Sequence, residues 1–267
     1  MSERVSIEVS DGVAHVQLSR PDKRNALDIP MFEALAGAGA AIAGRPDVRC
    51  VVLSGQGPSF CAGLDLTAMA AIGDASESDG LVTVDEGRIT HRAQQACWVW
   101  AELPIPVIAA VHGHAIGGGI QLALAADVRV VHPDTKLSVR EVYYGLIPDM
   151  TGTLTLSRLV GADVARELVY TARLFDGREA KELGVATRLS DRPVEDALAL
   201  AAAIAERSPD AVRGAKSLFH HLHYADAPAA FAAERRVIGG LIGGENQREA
   251  VVAHFEQRPP RFAGPVL

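Results

Sequence analysis

A chain of 267 residues, 48% hydrophobic and 22% charged, is long and apolar enough to bury a large core, which excludes a disordered chain. Its formal net charge of -7 disfavours a nucleic-acid or anionic-membrane surface as the main role, while leaving room for a local basic patch that holds one small anion. The three cysteines, Cys50, Cys61 and Cys97, show no C-x-x-C spacing, so neither a disulfide framework nor a zinc site is expected. The opening MSERVSIEVS carries charges and no apolar run, which predicts no secretory leader and a cytoplasmic location.

In chain order, residues 6–10 and 13–18 flank Asp11-Gly12, the signature of a β-hairpin with a two-residue turn. After the polar loop RPDKRNALD, Asp28 is predicted to cap a helix running to residue 43, with Pro30 in its first turn. Residues 49–54 read as a short buried strand, followed by the turn GQGP and the segment SFCAGLDL. Residues 73–85 turn polar and acidic, which predicts a surface loop, and a helix is expected over 86–103.

The stretch VIAAVHGHAIGGGIQLALAAD, residues 107–127, is the centre of the chain. It predicts a buried strand over 107–111, a turn carrying Gly113 and Gly117-Gly118-Gly119, and a helix over 120–126. Three consecutive glycines cost backbone entropy in any regular element, so a turn that keeps them needs bare backbone there. The useful product is main-chain N–H groups at a helix start, aimed at something negative. Close strand–helix packing is the plainer alternative. No Gly-Lys-Ser/Thr follows the glycines and no G-x-G-x-x-G opens the helix, so nucleotide loops are excluded. His112, His114, Gln121, the prolines and the glycine run also make this a poor membrane span.

A further buried strand is predicted over 128–131, and the recurrence of strand, glycine turn and helix argues for an α/β fold with parallel crossovers. From residue 153 the strands thin out, apart from a short one at 185–189, and helices are expected over 162–171, 177–183, 194–206, 209–222 and 246–256. The chain thus divides into a core over 1–192 and a helical region over 193–267, whose Ala-rich faces could pack on the same chain or on a neighbour.

In this order and spacing, RPDKRNAL, SFCAGLDL, HGHAIGGGIQLALAADVRV, REVYYGLIPDMTGTLTLSRLVG and FEQRPPRF resemble the enoyl-CoA hydratase/isomerase, or crotonase, superfamily over nearly the whole chain. The resemblance implies a spiral of β-β-α units followed by an α-helical trimerisation region, assembled as a homotrimer or a dimer of trimers. It implies an acyl-CoA substrate, no metal, and no cofactor beyond the coenzyme A that the substrate carries. The thioester oxygen would sit between the main-chain N–H groups of Leu64 and Gly118, with Gly117 beside them. Removing a proton next to a thioester makes an enolate, whose oxygen must be met by donors placed beforehand.

Hydratases of the superfamily use two glutamates, and the first falls at Gln121 here, the second at Glu141. An amide can orient a neighbour but does not exchange a proton at neutral pH. The pattern is similar to that of dienoyl-CoA isomerases, in which a glutamate and an aspartate at the positions of Glu141 and Asp149 pass a proton between carbons; there the position of Gln121 is usually an acid as well. The resemblance therefore implies an enoyl- or dienoyl-CoA double-bond isomerase with Glu141 and Asp149 as base and acid and Gln121 in support. Its alternatives are an enoyl-CoA hydratase relying on Glu141 alone, and an acyl-CoA-binding homologue without catalysis. Taken apart from the resemblance, Glu141 serves equally as an ion-pair partner of Arg140 or Lys136, and Asp149 as a helix cap ahead of TGTL.

For the CoA moiety the resemblance points to Arg24, Ala26 and Ala62 near the adenine and phosphates, and to Arg258 and Arg261 near the ribose phosphate, guanidinium groups suiting phosphate geometry. Cys61 is expected to pack rather than to act as a nucleophile, since no partner base is identifiable. His220, His221 and His223 read as a helix face rather than a metal cluster. No G-x-S-x-G elbow is present. Trp98 and Trp100 are expected in the core, on a helix that could line an acyl pocket shaped by residues 66–100.

Overall fold

The computed structural model describes residues 4–65, 67, 83–84, 87–224 and 226–261. Of the acidic loop expected at 73–85, all but residues 83 and 84 lie outside the described residues, as do residues 66 and 68–82 of the expected acyl pocket and Phe262 of FEQRPPRF.

Strands β1 (Val5–Ser10) and β2 (Val13–Leu18) form the expected hairpin, in register from Val5 opposite Leu18 to Ser10 opposite Val13. Asp11 and Gly12 both take positive φ, 49° and 80°, the geometry whose twist matches the flanking strands. Strand β2 then pairs in parallel with β3 (Cys50–Gly55), β3 with β4 (Val107–Val111), β4 with β6 (Val128–Val131) and β6 with β8 (Arg188–Leu189). The resulting six-stranded sheet has the order β1-β2-β3-β4-β6-β8.

A second layer is made of β5 (His114–Ile116) and β7 (Lys136–Ser138), paired in parallel, with Cys61 bridging to Ala115 alongside. Each time the chain leaves a main-sheet strand, after β3, β4 and β6, it lays a short extended piece in this second layer. That alternation is the β-β-α spiral. The two short strands were absent from the sequence reading, because three residues carry too little alternation to be recognised.

Helix α1 (Ile29–Ala43) starts as expected, with the Asp28 side chain accepting from the Met31 N–H at 2.9 Å. Helix α2 (Arg92–Glu102) begins later than the composition suggested, because His91 forms a capping box with Gln94. The two helices pack closely at Gly39, where a Cβ would stand 2.4 Å from Val99 Cγ2. Leu18, Leu35, Leu53, Phe60, Ile120 and Trp100 are fully buried between sheet and helices, and Trp98 meets Phe231 with ring centroids 4.8 Å apart, so both tryptophans are core residues.

Helix α3 (Gly118–Leu124) follows the glycine turn and starts two residues earlier than expected, inside the glycine run. Next come α4 (Gly152–Val160), α5 (Ala162–Thr171), α6 (Gly177–Glu182) and α7 (Pro193–Ala205). Ala197, Ala201 and Ala205 of α7 cover the far face of the sheet, against Cys50, Val52, Ile108 and Val130. The chain ends with α8 (Pro209–Tyr224), α9 (Ala227–Leu241) and α10 (Glu245–Phe255). Helix α9 was not in the sequence reading, and α4 entered it only as the helix that Asp149 would cap ahead of TGTL; glycines at their ends and Pro228 break their pattern. Phe231 of α9 is buried in a cluster with Trp98 and Leu154, so this helix packs on its own chain. Among the described residues no helix is long and apolar enough to cross a membrane.

Candidate active site

Residues 62–65 beyond β3, the end of β5, the start of α3 and the segment around Glu141 border a cavity of about 450 Å³. Its apolar lining includes Phe32, Ala93, Leu146 and Met150, and Ile238 and Ile242 close it from the C-terminal end of the chain. Leu64, Gly117, Gly118, Glu141 and Asp149 all line it.

Gly63 holds φ at +86°, and a Cβ there would lie 2.4 Å from the Ile116 carbonyl oxygen, so the chain requires glycine. On either side of Leu64, Leu27 N–H donates to Gly63 O at 2.7 Å and Asp65 N–H donates to Leu27 O at 2.8 Å. In such a parallel bridge the Leu64 N–H faces away from Leu27, and it takes no partner among the described residues. Gly118 is the first residue of α3, where no carbonyl one turn back exists to accept its N–H. A Cβ on Gly63 would stand 3.7 Å from Gly118 N, which puts the two backbone segments side by side. The glycine run also serves packing: a Cβ on Gly119 would lie 2.3 Å from Cys61 O.

Gln121, one turn into α3, is fully buried. Its Oε1 accepts from Met150 N–H at 2.8 Å and Gly152 N–H at 2.9 Å, while its Nε2 donates to Glu141 Oε1 at 2.5 Å. Two main-chain donors on one oxygen fix which way the amide points. Gly152 is bare for the same contact, since a Cβ would meet Gln121 Oε1 at 2.6 Å.

Glu141 opens a 3-10 turn, Glu141–Tyr144. Burial raises its carboxyl to about 7, opposed by hydrogen bonds from the local main chain and from Gln121, and its Oε2 is buried without a hydrogen-bond partner among the described residues. The ion pair with Arg140 does not form: Arg140 Nη1 donates to Ala172 O at 2.7 Å and its guanidinium lies 4.0 Å from the centroid of the Tyr143 ring. Asp149 is raised to about 8, first by burial and then by the charges of Glu141 and Glu234. It is not a helix cap; that position belongs to Thr151, at φ 74°. Two carboxyls that burial raises therefore border one cavity.

A family model described as Enoyl-CoA hydratase/isomerase matches residues 8–265. The chain belongs to the enoyl-CoA hydratase/isomerase family. It is a crotonase-type acyl-CoA enzyme, and among its relatives both names of the family appear. The protein named "Probable enoyl-CoA hydratase echA6" from Mycobacterium tuberculosis is 35% identical over 260 residues, spanning 97% of this chain and 99% of that one. The peroxisomal Delta(3,5)-Delta(2,4)-dienoyl-CoA isomerase of Arabidopsis thaliana is 31% identical over 271 residues, spanning 98% and 96%. The crystal structure of an enoyl-CoA hydratase/isomerase from Mycobacterium paratuberculosis superposes with a TM-score of 0.86 at 26% identity, covering 94% of this chain and 98% of that one.

Within this crotonase-type enzyme, Ala26 and Ala62 also line the cavity, whereas the exposed Arg24 does not; it is tied in through its carbonyl, which accepts from Ala62 N–H at 2.9 Å, and Lys23 reaches the cavity instead. Arg258 is engaged by Glu249 at 2.6 Å and Glu256 at 2.6 Å, and the Arg261 N–H also donates to Glu249, so both lie outside the cavity lining. Cys61 is buried, its Sγ 3.1 Å from Asn25 O, and burial pushes its thiol up to about 12, which keeps it neutral. His220 Nδ1 lies 3.1 Å from Ala101 O, and no group of three or more His, Cys, Asp or Glu among the described residues could hold a metal.

Sequence reasoning missed His91 and Glu234. Glu234 is buried on α9, accepting from Gln94 Nε2 at 2.9 Å and from Thr153 Oγ1, with its carboxyl raised by burial. His91 Nε2 lies 3.8 Å from Asp149 Oδ2. The H-x-x-Q spacing of His91 and Gln94 at a helix start was the one available signal for the first. Nothing local pointed to the second.

Proposed function

We propose that this protein is a double-bond isomerase of enoyl- or dienoyl-CoA thioesters. With a 3,5-dienoyl-CoA, ionised Glu141 removes a proton from C2 while the N–H groups of Leu64 and Gly118 take the enolate oxygen. Protonated Asp149 delivers its proton to C6, and the double bonds move to positions 2 and 4. One proton leaves the substrate and one returns, so its composition is unchanged; the proton on Glu141 must then pass back to Asp149 before the next turnover. The charge is met by main-chain donors, and the scheme requires no cofactor beyond the coenzyme A in the substrate.

The observation that carries this reading is the locked amide of Gln121. With Gln121 unable to exchange a proton, two raised carboxyls remain at the cavity among the described residues, Glu141 and Asp149. Asp65 also lines it, but hydrogen bonds from Thr67 and Arg20 hold its carboxyl below the usual range, so it is a poor proton carrier at neutral pH. The hydratase names among the relatives favour a second reading, addition of water to a 2-enoyl-CoA with Glu141 alone moving the proton.

Crotonyl-CoA and a 3,5-dienoyl-CoA separate the readings. Growth of 2,4-dienoyl absorbance is expected; loss of enoyl absorbance from crotonyl-CoA without it supports hydration, and binding with neither supports an acyl-CoA-binding homologue. Glu141→Gln is expected to slow isomerisation about 10²–10⁴-fold, and a loss under about tenfold removes Glu141 as the proton carrier. We further propose that the region 193–267 carries self-association, as a homotrimer or a dimer of trimers.

A further inference from the structure

His91 is a buried titratable group that the scheme above does not use, only 1% exposed at the start of α2. Its ring has a fixed tautomer. Nδ1 accepts the N–H groups of Ala93 at 3.1 Å and Gln94 at 3.3 Å, so Nδ1 carries no proton and the neutral ring must hold its proton on Nε2. The ring stays neutral, because burial and then the Arg235 guanidinium push it down to about 4. The contact between His91 and Asp149 is therefore a neutral donor facing a carboxyl group and not an ion pair.

That donor is buried and makes no well-formed hydrogen bond among the described residues; it faces Asp149, whose main chain weakly favours the charged ring and whose Oδ2 lies 3.8 Å away. A gap of this size is too short to hold a bridging water and too long for a formed bond; catalytic hydrogen bonds are often long before substrate binds. Around Asp149, the charges of Glu141 in the 3-10 turn and Glu234 on α9 oppose its ionisation, while its own main chain favours it; Cys97 of α2 is also within its field, and Arg235 of α9 faces His91. The ring is also tied to the same network, since Gln94 accepts from the His91 N–H and donates to Glu234.

We propose that His91 is a positioning residue for Asp149, an imidazole locked with its proton on Nε2 that donates to the Asp149 carboxylate once this acid has released its proton, holding it toward the acyl chain. The inference rests on the reading of Asp149 as a proton carrier.

The test uses two substitutions that divide the ring's functions. His91→Asn keeps an N-cap acceptor but has no donor that reaches Asp149; His91→Gln places an amide N–H near the old Nε2 and weakens the cap. The readout is the carboxyl ¹³C titration of Asp149 in the whole protein, assigned by its loss in Asp149→Asn, which needs no turnover and so is independent of the reaction assigned. Losing a donor to the charged form is expected to lower the acid constant of Asp149 about tenfold in His91→Asn and about twofold or less in His91→Gln. Turnover should drop in the first through kcat, with KM unchanged. An Asp149 titration in His91→Asn that matches the unsubstituted protein overturns the proposal, as does an equal change in both variants, which would assign the effect to the cap. His91→Ser, also a cap without the reach, replaces His91→Asn if that variant does not fold. An unaltered protein that fails to isomerise dienoyl-CoA while the titration behaves as expected sinks the isomerase reading and leaves the His91 contact standing.

Discussion

Gln121→Glu is the substitution that probes the site most directly. It replaces Nε2 by an oxygen 2.5 Å from Glu141 Oε1, while the other oxygen keeps the N–H groups of Met150 and Gly152. Those two donors favour charge on the new side chain, so the proton shared by the pair stays on Glu141. With charge centres about 4 Å apart and an effective dielectric constant near 20, ionising both carboxyls costs about 4 kcal/mol. That is close to three pK units, moving Glu141 from about 7 to on the order of 10. At pH 7.5 the ionised fraction of Glu141 then falls, and isomerisation with it, about 10²-fold. Between roughly pH 8 and 10 the growing supply of base offsets the loss of the Asp149 proton, so the alkaline limb should flatten instead of falling. The assay is the initial rate of 2,4-dienoyl absorbance from about pH 6 to 10. A variant within about threefold of the parent at pH 7.5, with the same bell-shaped profile, would refute the reasoning that Glu141 acts as a base beside a locked amide.

Asp149 sits at about 8 in place of its ordinary 3.8, so the folded chain keeps a proton that the unfolded chain has lost across that interval. Its contribution to stability is complete below about pH 4 and is lost as pH rises through 8, so Asp149→Asn should melt higher than the parent at pH 8.5, with the gap closing toward pH 5; a gap that widens on acidification contradicts it. Gly63→Ala forces a Cβ onto the Ile116 carbonyl at φ +86° and displaces the Leu64 N–H. A fall in kcat of about 10²–10³-fold with a lowered Tm is expected, and a loss under tenfold would take Leu64 out of the oxyanion site. Cys50, Cys61 and Cys97 are all buried, so iodoacetamide at pH 8 should leave them unmodified until urea unfolds the chain, whereas alkylation at the rate of a free thiol would contradict their packing.

What was legible in the sequence is what short-range chemistry fixes. Asp11-Gly12 imposes a turn that few other pairs tolerate, Asp28 caps α1 through a bond three residues away, and the glycines at 117–119 announce close backbone approach. The family motifs carried Leu64, Gly118, Glu141 and Asp149 to one cavity although 85 positions separate the first from the last. Illegible were the arrangements set by distant partners. The amide of Gln121 is oriented by Met150 and Gly152, and Asp149 feels Glu234 from a helix that the sequence reading left out. Arg258 offered the charge expected of a phosphate ligand, but Glu249, nine residues earlier on α10, neutralises it locally.

The last two helices bring Ile238, Ile242 and Gln247 back to the cavity that holds Glu141, and Gly145 is bare where a Cβ would stand 2.8 Å from the Cα of Gln247. Among the described residues, a single polypeptide thus furnishes this wall, the Leu64 and Gly118 main chain and both carboxyls. If each copy works from these residues alone, a mixed population containing Glu141→Gln is expected to lose turnover in direct proportion to its substituted fraction.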